Sequence, residues 1–233
     1  MRRVTCVLFC LGFLPVVCAP SVQAQADNQV DGVTVKDEKA YALRGDQLEV
    51  LNDVLKLPFE IEVNTNGIFK VAGGKERKLE AGQVLRRDGW LLNPDGSVQP
   101  VFDHVAMKAG KVIVVRDGQT GTITEPMTFP NNLVIAPDAS CVYPNGGRSR
   151  LADGQLFRLD GTSIPARDAA TLKNGQVVVQ KDGTLISLLP TQIMGMSDGT
   201  RVQGDGSIKQ RDGTVTQLRD GQTILIEGAA TRG

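Results

Sequence analysis

The chain has 233 residues, with 26 basic residues, 26 acidic residues and a single histidine. This balance of charge argues against nucleic acid and against an anionic membrane surface as partners, because both favour clustered positive charge. One histidine also excludes a multi-histidine metal site within a single chain.

Residues 1–24 are typical of a secretory signal peptide. Arg2 and Arg3 precede the apolar run "VTCVLFCLGFLPVVCA", and small residues lead to a cleavage site after Ala24. A membrane anchor is the disfavoured alternative, because the run is shorter than the ~20 residues that a span needs. Cleavage would remove two arginines and leave an exported chain with a net charge of about −2, a flexible start at 25–30 and no transmembrane segment.

Cysteine usage agrees with export. Cys6, Cys10 and Cys18 lie within the signal peptide, so only Cys141 would remain in the mature chain. One thiol cannot form a disulfide within the chain, and an exported protein of this size then depends on an apolar core.

One sequence pattern occurs three times after the signal peptide. The segment "KLEAGQVLRRDG" (78–89) recurs as "RLADGQLFRLDG" (150–161) and "QLRDGQTILIEG" (217–228). Aligned segments begin at Asp31, Asp103 and Asp168. The recurrence predicts three units of about sixty residues, which are 31–89, 103–161 and 168–228.

The remaining segments connect these units. Residues 90–102 contain a Pro-Asp-Gly turn and are predicted to form a hairpin. Residues 162–167 are a short linker, and residues 229–233 are a tail.

Turn signals such as Asn-Gly and Asp-Gly recur about every eight residues, between runs rich in Val, Ile, Leu and Thr. We therefore expect an all-β fold of three tandem antiparallel β-meander (hairpin) repeats.

The segment "QLEVLNDVLKLP" (47–58) is the best helix candidate, but Pro58 argues against it. The runs "VIVV" (112–115) and "VVV" (177–179) are apolar on both faces and are expected in central strands. Separate domains and one continuous stack of sheets both remain open.

Positions that stay apolar in all three units are expected in the core. They alternate with variable positions, which is the pattern of half-buried strands. Three such sets are Val63, Ile135 and Val202; Phe69, Cys141 and Ile208; and Leu85, Phe157 and Ile224.

Several short motifs resemble a family of exported bacterial proteins known as domain of unknown function 6799. The motifs are "VRDG" (115–118), "QKDG" (180–183), "QRDG" (210–213), "LADGQ" (151–155) and "LRDGQ" (218–222). The first unit departs from them with "LRGD" (43–46). The resemblance implies three tandem copies of the domain and no known activity.

Individual residues offer few catalytic possibilities, and we expect neither a catalytic site nor a cofactor. His104 aligns with Gly32 and Ala169, so it is not part of the shared scaffold and is expected on the surface near a unit boundary. Cys141 is expected in the core, because free cysteine is readily buried.

Two further candidates involve residues that occur in one unit only. His104, Met107, Met194 and Met196 are soft ligands that suit Cu(I), although methionine also fills gaps in cores. Trp90, the one tryptophan, aligns with Thr162 and Ala229. It is either a ligand platform or a cap on the edge between the first two units.

These observations favour a non-enzymatic binding or structural module of the cell envelope or periplasm. Its expected partner is an envelope protein or a glycan. Copper binding is the first alternative, and a carbohydrate-active enzyme that uses acidic residues is the second.

Overall fold

The structure, a computed structural model, describes residues 30–228. The predicted signal peptide (1–24), residues 25–29 and the predicted tail (229–233) lie outside the described residues. Within 30–228 all regular structure is β, in six antiparallel sheets, so the all-β prediction is confirmed. No helix in that range could span a membrane. The helix candidate at 47–58 instead contains two strands.

The first two sheets belong to residues 32–100. One sheet has the order β10-β9-β8-β1-β2-β3, and the other has the order β4-β5-β6-β7. The strands are β1 (Gly32–Lys36), β2 (Lys39–Arg44), β3 (Gln47–Val50), β4 (Leu55–Leu57), β5 (Ile61–Val63), β6 (Ile68–Val71), β7 (Arg77–Lys78), β8 (Val84–Arg86), β9 (Trp90–Leu92) and β10 (Val98–Pro100).

The next two sheets belong to residues 104–164. Their orders are β13-β12-β11-β18-β19 and β14-β15-β16-β17. The strands are β11 (His104–Lys108), β12 (Lys111–Arg116), β13 (Gln119–Thr122), β14 (Met127–Thr128), β15 (Val134–Ile135), β16 (Ser140–Val142), β17 (Arg148–Arg150), β18 (Leu156–Arg158) and β19 (Ser163–Ile164).

The last two sheets belong to residues 167–227. Their orders are β22-β21-β20-β27 and β23-β24-β25-β26. The strands are β20 (Arg167–Lys173), β21 (Gln176–Lys181), β22 (Thr184–Leu188), β23 (Ile193–Gly195), β24 (Arg201–Gln203), β25 (Ser207–Lys209), β26 (Val215–Gln217) and β27 (Thr223–Glu227).

Each pair of sheets has the same strand pattern. Three consecutive strands form a meander, four strands form the second sheet, and the next strand returns to pair with the first strand of the meander. We call the pairs the first, second and third sandwich. The returning strand makes each unit more than a simple meander, because folding back places both sheets around one core and buries an apolar face of each.

The interior of each sandwich is a separate hydrophobic core. The aligned residues Val63, Ile135 and Val202 are all fully buried, as the repeat pattern predicts. The runs 112–115 and 177–179 lie in β12 and β21, which are interior strands of their sheets. The predicted hairpin in 90–102 is also present, as the antiparallel pair β9 and β10.

A fourth apolar cluster joins the three sandwiches. We call it the central cluster, and it consists of Trp90, Val98, Ala106, Leu156, Ile164 and Ala169. The hairpin β9–β10 contributes from the first sandwich, β11, β18 and β19 from the second, and β20 from the third. Units of this size are marginal alone, and the shared cluster buries apolar surface that a string of separate domains would expose.

Candidate functional site

A cleft of about 340 Å³ lies beside the central cluster, between the three sandwiches. The hairpin β9–β10 forms one side, β11 and β12 form another, and β20 and β21 form the third. Its volume is at the lower end of the range for small-molecule sites. We call it the central cleft, and its polar lining includes Ser97, His104, Lys108, Thr120, Arg167 and Gln180.

His104 lies in this cleft and not on the surface. The expectation of a surface residue was wrong, since only 5% of His104 is exposed. Its Nδ1 lies 2.7 Å from the carbonyl oxygen of Phe102. A carbonyl oxygen can only accept, so Nδ1 carries the proton in the neutral ring and Nε2 is left as an acceptor. Burial lowers the pKa of His104 and favours this neutral form.

Trp90 packs in the central cluster and lines the same cleft. Only 5% of it is exposed, so its ring is part of an apolar wall and is not an open platform on the surface. The position joins the first sandwich to the other two, because Ala106 and Ala169 belong to the same cluster.

Gln180 connects the third sandwich to the first. Its Oε1 accepts a hydrogen bond from the backbone N–H of Val98 at 2.8 Å, and its Nε2 donates to the carbonyl oxygen of Val98 at 2.9 Å. Both partners are buried, so these two bonds satisfy one backbone donor and one acceptor that have no access to water. The side chain thereby fixes one wall of the cleft.

Arg167 is a half-buried cation in the lining of the cleft. Alternation along β20 places it on the same face as Ala169, which belongs to the central cluster. Its Nε has no hydrogen-bond partner among residues 30–228. Glu227 is 3.9 Å from its Nη1, but the side chain of Glu227 is 79% exposed, so this ion pair is weak.

Asp168 also borders the cleft, but its carboxylate belongs to the third sandwich. The residue lies on the same face of β20 as Ala170, which packs in the third core. Its Oδ1 accepts a hydrogen bond from the backbone N–H of Asp182 at 2.8 Å. Its Oδ2 is buried and has no partner within the described residues. Burial raises the pKa of Asp168 from 3.8 to about 6, although the bond from Asp182 acts in the opposite direction.

The structure does not bring the four copper candidates together. Met107 packs in the second core, whereas Met194 and Met196 pack in the third core. His104 lies on the opposite face of β11 from Met107, beside the central cluster. Each methionine thus fills a gap between apolar neighbours. Within residues 30–228 no three His, Cys, Asp or Glu side chains are grouped as a metal site.

Sequence reasoning did not identify Gln180 or Arg167, although the alignment contained a signal for both. His104 pairs across the sheet with Val115, and Ala169 pairs with Gln180 at the equivalent place in the third sandwich. At this position the third unit has the polar residue Gln180, whereas the second unit has the apolar residue Val115. Arg167 likewise stands where the other units have Val30 and Phe102, which are both buried.

Comparison with protein families identifies the chain. The family described as "Domain of unknown function (DUF6799)" matches residues 102–163 and 167–230. The chain belongs to this family. The two DUF6799 matches coincide with the second and third sandwiches, so the resemblance seen in the turn motifs is confirmed for two copies.

Two other comparisons add no functional information. No curated protein matches the chain. A crystal structure of a catalytically inactive virginiamycin B lyase from Staphylococcus aureus with quinupristin shares 8% sequence identity, and the match covers 83% of this chain and 85% of that chain. Its TM-score of 0.18 is too low to support any argument about fold or function.

Proposed function

We propose that this DUF6799 protein is an exported, non-enzymatic binding module and that the central cleft is its ligand site. The observation that carries the proposal is that residues found in only one unit meet at this cleft. Trp90, His104, Arg167 and Gln180 all line it. Shared residues mainly form turns and cores, although Asp168 and Gly154 also border the cleft. An apolar wall with a few converging polar groups is the usual composition of a small-molecule site.

We also propose that residues 31–89 are a third copy of the family domain. The first sandwich has the same return of a late strand to the first strand of its meander, since β8 pairs with β1. A truncated chain that starts at Asp103 tests the role of this copy. We expect it to be less stable than the whole chain, because it lacks Trp90 and Val98 of the central cluster. An unchanged midpoint in urea would contradict this.

Export is the part of the proposal that rests on residues 1–24. The test is N-terminal sequencing of the protein recovered from each fraction of the native cell. We expect a mature chain that begins at Gln25 in the periplasmic or extracellular fraction. Recovery of the uncleaved chain from the cytoplasm alone would contradict export.

A carbohydrate-active enzyme is the second candidate, and the two acids beside the cleft are its support. Burial raises the pKa of Asp168 to about 6. Partial burial acts to raise the pKa of Asp95, but hydrogen bonds from Ser97 outweigh it and lower that pKa. Separated pKa values are typical of an acid and a base in catalysis. The candidate is weaker because Oδ2 of Asp168 is buried away from the cleft, where a substrate could not reach it.

Copper binding is weaker still. Met107 and the pair Met194 and Met196 belong to different hydrophobic cores. A common metal ion would require both sandwiches to open and expose their apolar cores to water, which is costly. Titration of the mature chain with Cu(I) tests it directly, and saturable binding at one equivalent would restore this candidate.

Selective blocking of the cleft tests the binding proposal. Thr120 is exposed on β13 and lines the cleft, so Thr120→Trp should fill the entrance without changing a core. Thr216→Trp on the exposed strand β26 is the matched control, since it lies outside that lining. Immobilised mature chains are incubated with native envelope extract, and retained molecules are identified by mass spectrometry.

We expect the unmodified chain and Thr216→Trp to retain the same molecule, and Thr120→Trp to lose it. Retention of nothing, or equal retention by all three chains, would overturn the proposal that the central cleft is the ligand site.

A further inference from the structure

We propose that the central cleft binds a small molecule that carries a carboxylate next to a hydroxyl group, with Arg167 binding the carboxylate and His104 accepting from the hydroxyl. This inference rests on the proposed binding function and names the class of ligand for the same site. Arg167, His104 and the apolar wall beside them carry this inference.

Arg167 supplies the positive charge. Its side chain is 29% exposed, and its counter-ion Glu227 lies 3.9 Å from Nη1 and is itself 79% exposed. A guanidinium presents its donors in a planar fork that matches the two oxygens of a carboxylate. A ligand carboxylate in the cleft would therefore bind the terminal Nη groups of Arg167, and it would compete only with the weak ion pair to Glu227.

His104 supplies an acceptor. Its Nδ1 is occupied by the carbonyl oxygen of Phe102, so the free nitrogen of the neutral ring has a lone pair and no proton. Such a nitrogen repels a carboxylate oxygen and favours a hydroxyl or N–H donor. Arg167 and His104 thus require different groups on the same ligand, and a hydroxy acid provides both.

The rest of the cleft limits the size and polarity of the ligand. Trp90, Val98, Ala106 and Leu156 form an apolar wall. Gln180 is held in place by two hydrogen bonds with Val98, and the carboxylate of Asp95 accepts hydrogen bonds from the N–H and hydroxyl of Ser97. The volume of about 340 Å³ admits one ring-sized molecule. A sugar acid fits these requirements, because one face of its ring is apolar.

Two sources carry this chemistry, namely a free sugar acid and the terminal uronate of an acidic polysaccharide. The probes are D-glucuronate, an oligomer of galacturonate, D-glucose and cyclohexanecarboxylate. D-Glucose lacks the carboxylate, and cyclohexanecarboxylate lacks the hydroxyl groups. Binding to the mature chain is followed by the emission of Trp90, the only tryptophan in the sequence, and by titration calorimetry.

We expect saturable binding of D-glucuronate, with at least roughly tenfold weaker binding of the two probes that lack one group. Equal or tighter binding of the oligomer would identify a polysaccharide end as the source. Binding of the monomer alone would identify a free acid. Equal binding of glucose and glucuronate, or saturation by no carboxylate probe, would overturn the inference.

Matched variants assign the contacts. Arg167→Gln should weaken D-glucuronate binding roughly tenfold or more and leave D-glucose binding unchanged, whereas Arg201→Gln on the exposed end of β24 should change neither. Arg167→Lys keeps the charge but lacks the planar fork of donors. Its affinity for D-glucuronate is also measured, so that the test does not depend on Arg167→Gln folding correctly. Unchanged affinity in both Arg167 variants would overturn the assignment.

The two proposals fail in different ways. If the extract experiment yields a molecule that Thr120→Trp loses but that has no carboxylate, the binding function stands and the ligand class is wrong. If the extract yields nothing and no probe saturates, both are wrong.

Discussion

The carboxylate of Asp168 accepts a hydrogen bond from the backbone N–H of Asp182, 14 residues further along the chain. The same bond joins Asp103 to the N–H of Asp117, and Asp31 to the N–H of Gly45, at the same separation. Each aligned aspartate thus ties the start of a sandwich to the turn after its second strand. The three aspartates that mark the unit starts in the sequence are therefore structural residues.

Asp168 provides the first prediction, which concerns pH. Its pKa is raised from 3.8 to about 6, so the folded chain binds a proton that the unfolded chain releases between these values. The penalty for ionising the buried carboxyl is complete above about pH 6 and is relieved as the pH falls towards 4. In the wild type this contribution to the free energy of unfolding should therefore increase by up to about 3 kcal/mol from pH 7 to pH 4.

Asp168→Asn should remove that contribution, because the amide keeps an acceptor for Asp182 and does not ionise. Urea unfolding of both chains between pH 4 and pH 7 gives the difference, and subtraction removes the titration of His104, which both chains share. Asp168→Ala is the control and should be less stable than Asp168→Asn by about 1–3 kcal/mol at every pH, because alanine has no acceptor for the N–H of Asp182. A wild type and Asp168→Asn with parallel pH profiles would contradict the raised pKa.

A pair of aligned glycines provides the second prediction. Gly154 and Gly221 both have positive φ, at +81° and +79°. A Cβ on Gly154 would lie 3.0 Å from the Cα of Asp182 in the third sandwich, whereas a Cβ on Gly221 would meet nothing within 4 Å. Gly221→Ala should cost about 1 kcal/mol for the backbone conformation. Gly154→Ala should cost a further 1–3 kcal/mol or so, because the sandwiches must move apart.

Thermal unfolding of the two glycine variants checks this difference. Equal midpoints would show that the turn at Gly154 does not pack tightly on the third sandwich.

Local signals in the sequence were sufficient for the strands and the cores. Asp-Gly and Asn-Gly turns recur because tight hairpins need positive φ, and the alternation of apolar residues placed Val63, Ile135 and Val202 inside. Both signals act over a few neighbouring residues, so neither depends on how the sandwiches pack together.

Contacts between sandwiches could not be read from the same signals. His104 and Trp90 lie on strand faces that point away from their own cores, and a face of that kind normally meets water. Here it meets another sandwich, so His104 is buried and its surface assignment was wrong. The sequence signal for burial was that the aligned residues, Gly32 and Ala169, are both small. In the structure Ala169 is fully buried, and a Cβ on Gly32 would lie 2.8 Å from the carbonyl oxygen of Leu85.

The contact between Gln180 and Val98 provides the third prediction. Gln180→Val introduces the side chain found at Val115, the equivalent position of the second sandwich. It would leave the buried N–H and carbonyl of Val98 without partners, at a cost of about 2–4 kcal/mol. We also expect the emission of Trp90 to shift to longer wavelength, because Val98 and Trp90 pack in one cluster.

Gln217→Val is the matched control for Gln180→Val. Gln217 also donates to a backbone carbonyl, that of Asp205 at 2.8 Å, but it is exposed and acts within one sandwich. It should change stability by less than about 1 kcal/mol and leave Trp90 emission unchanged. Similar effects of the two variants would contradict a specific role for Gln180.

Arg158 provides the fourth prediction, at the contact between the first two sandwiches. Its guanidinium carbon lies 3.9 Å from the ring centroid of Phe102 and 5.4 Å from that of Phe59. The two rings pack edge to face, with centroids 5.4 Å apart. A double-mutant cycle of Arg158→Lys and Phe59→Ala should give a coupling energy of about 0.5–1 kcal/mol, because lysine loses the planar stacking.

The matched cycle replaces Phe59→Ala by Lys56→Ala. Lys56 is an exposed residue of the same hairpin, β4–β5, and its ion pair is with Glu62. We expect that cycle to be additive, since independent sites combine without coupling. Additivity in both cycles would show that the contact between Arg158 and Phe59 contributes nothing measurable to stability.

Cys141 provides the last prediction, which concerns its reactivity. Only 1% of the residue is exposed, and it packs in the second core beside residues such as Ile135 and Leu151. Burial raises the pKa of the thiol, so the reactive thiolate is also disfavoured in the folded protein. A thiol reagent should therefore modify the native protein only as fast as it unfolds, and urea should accelerate the reaction in step with global unfolding.

Thr184→Cys in a Cys141→Ala background is the control, because Thr184 lies at an exposed end of β22 and should react at once. Rapid reaction of Cys141 in the native chain would show instead that the second sandwich opens locally, well below the cost of unfolding the whole protein.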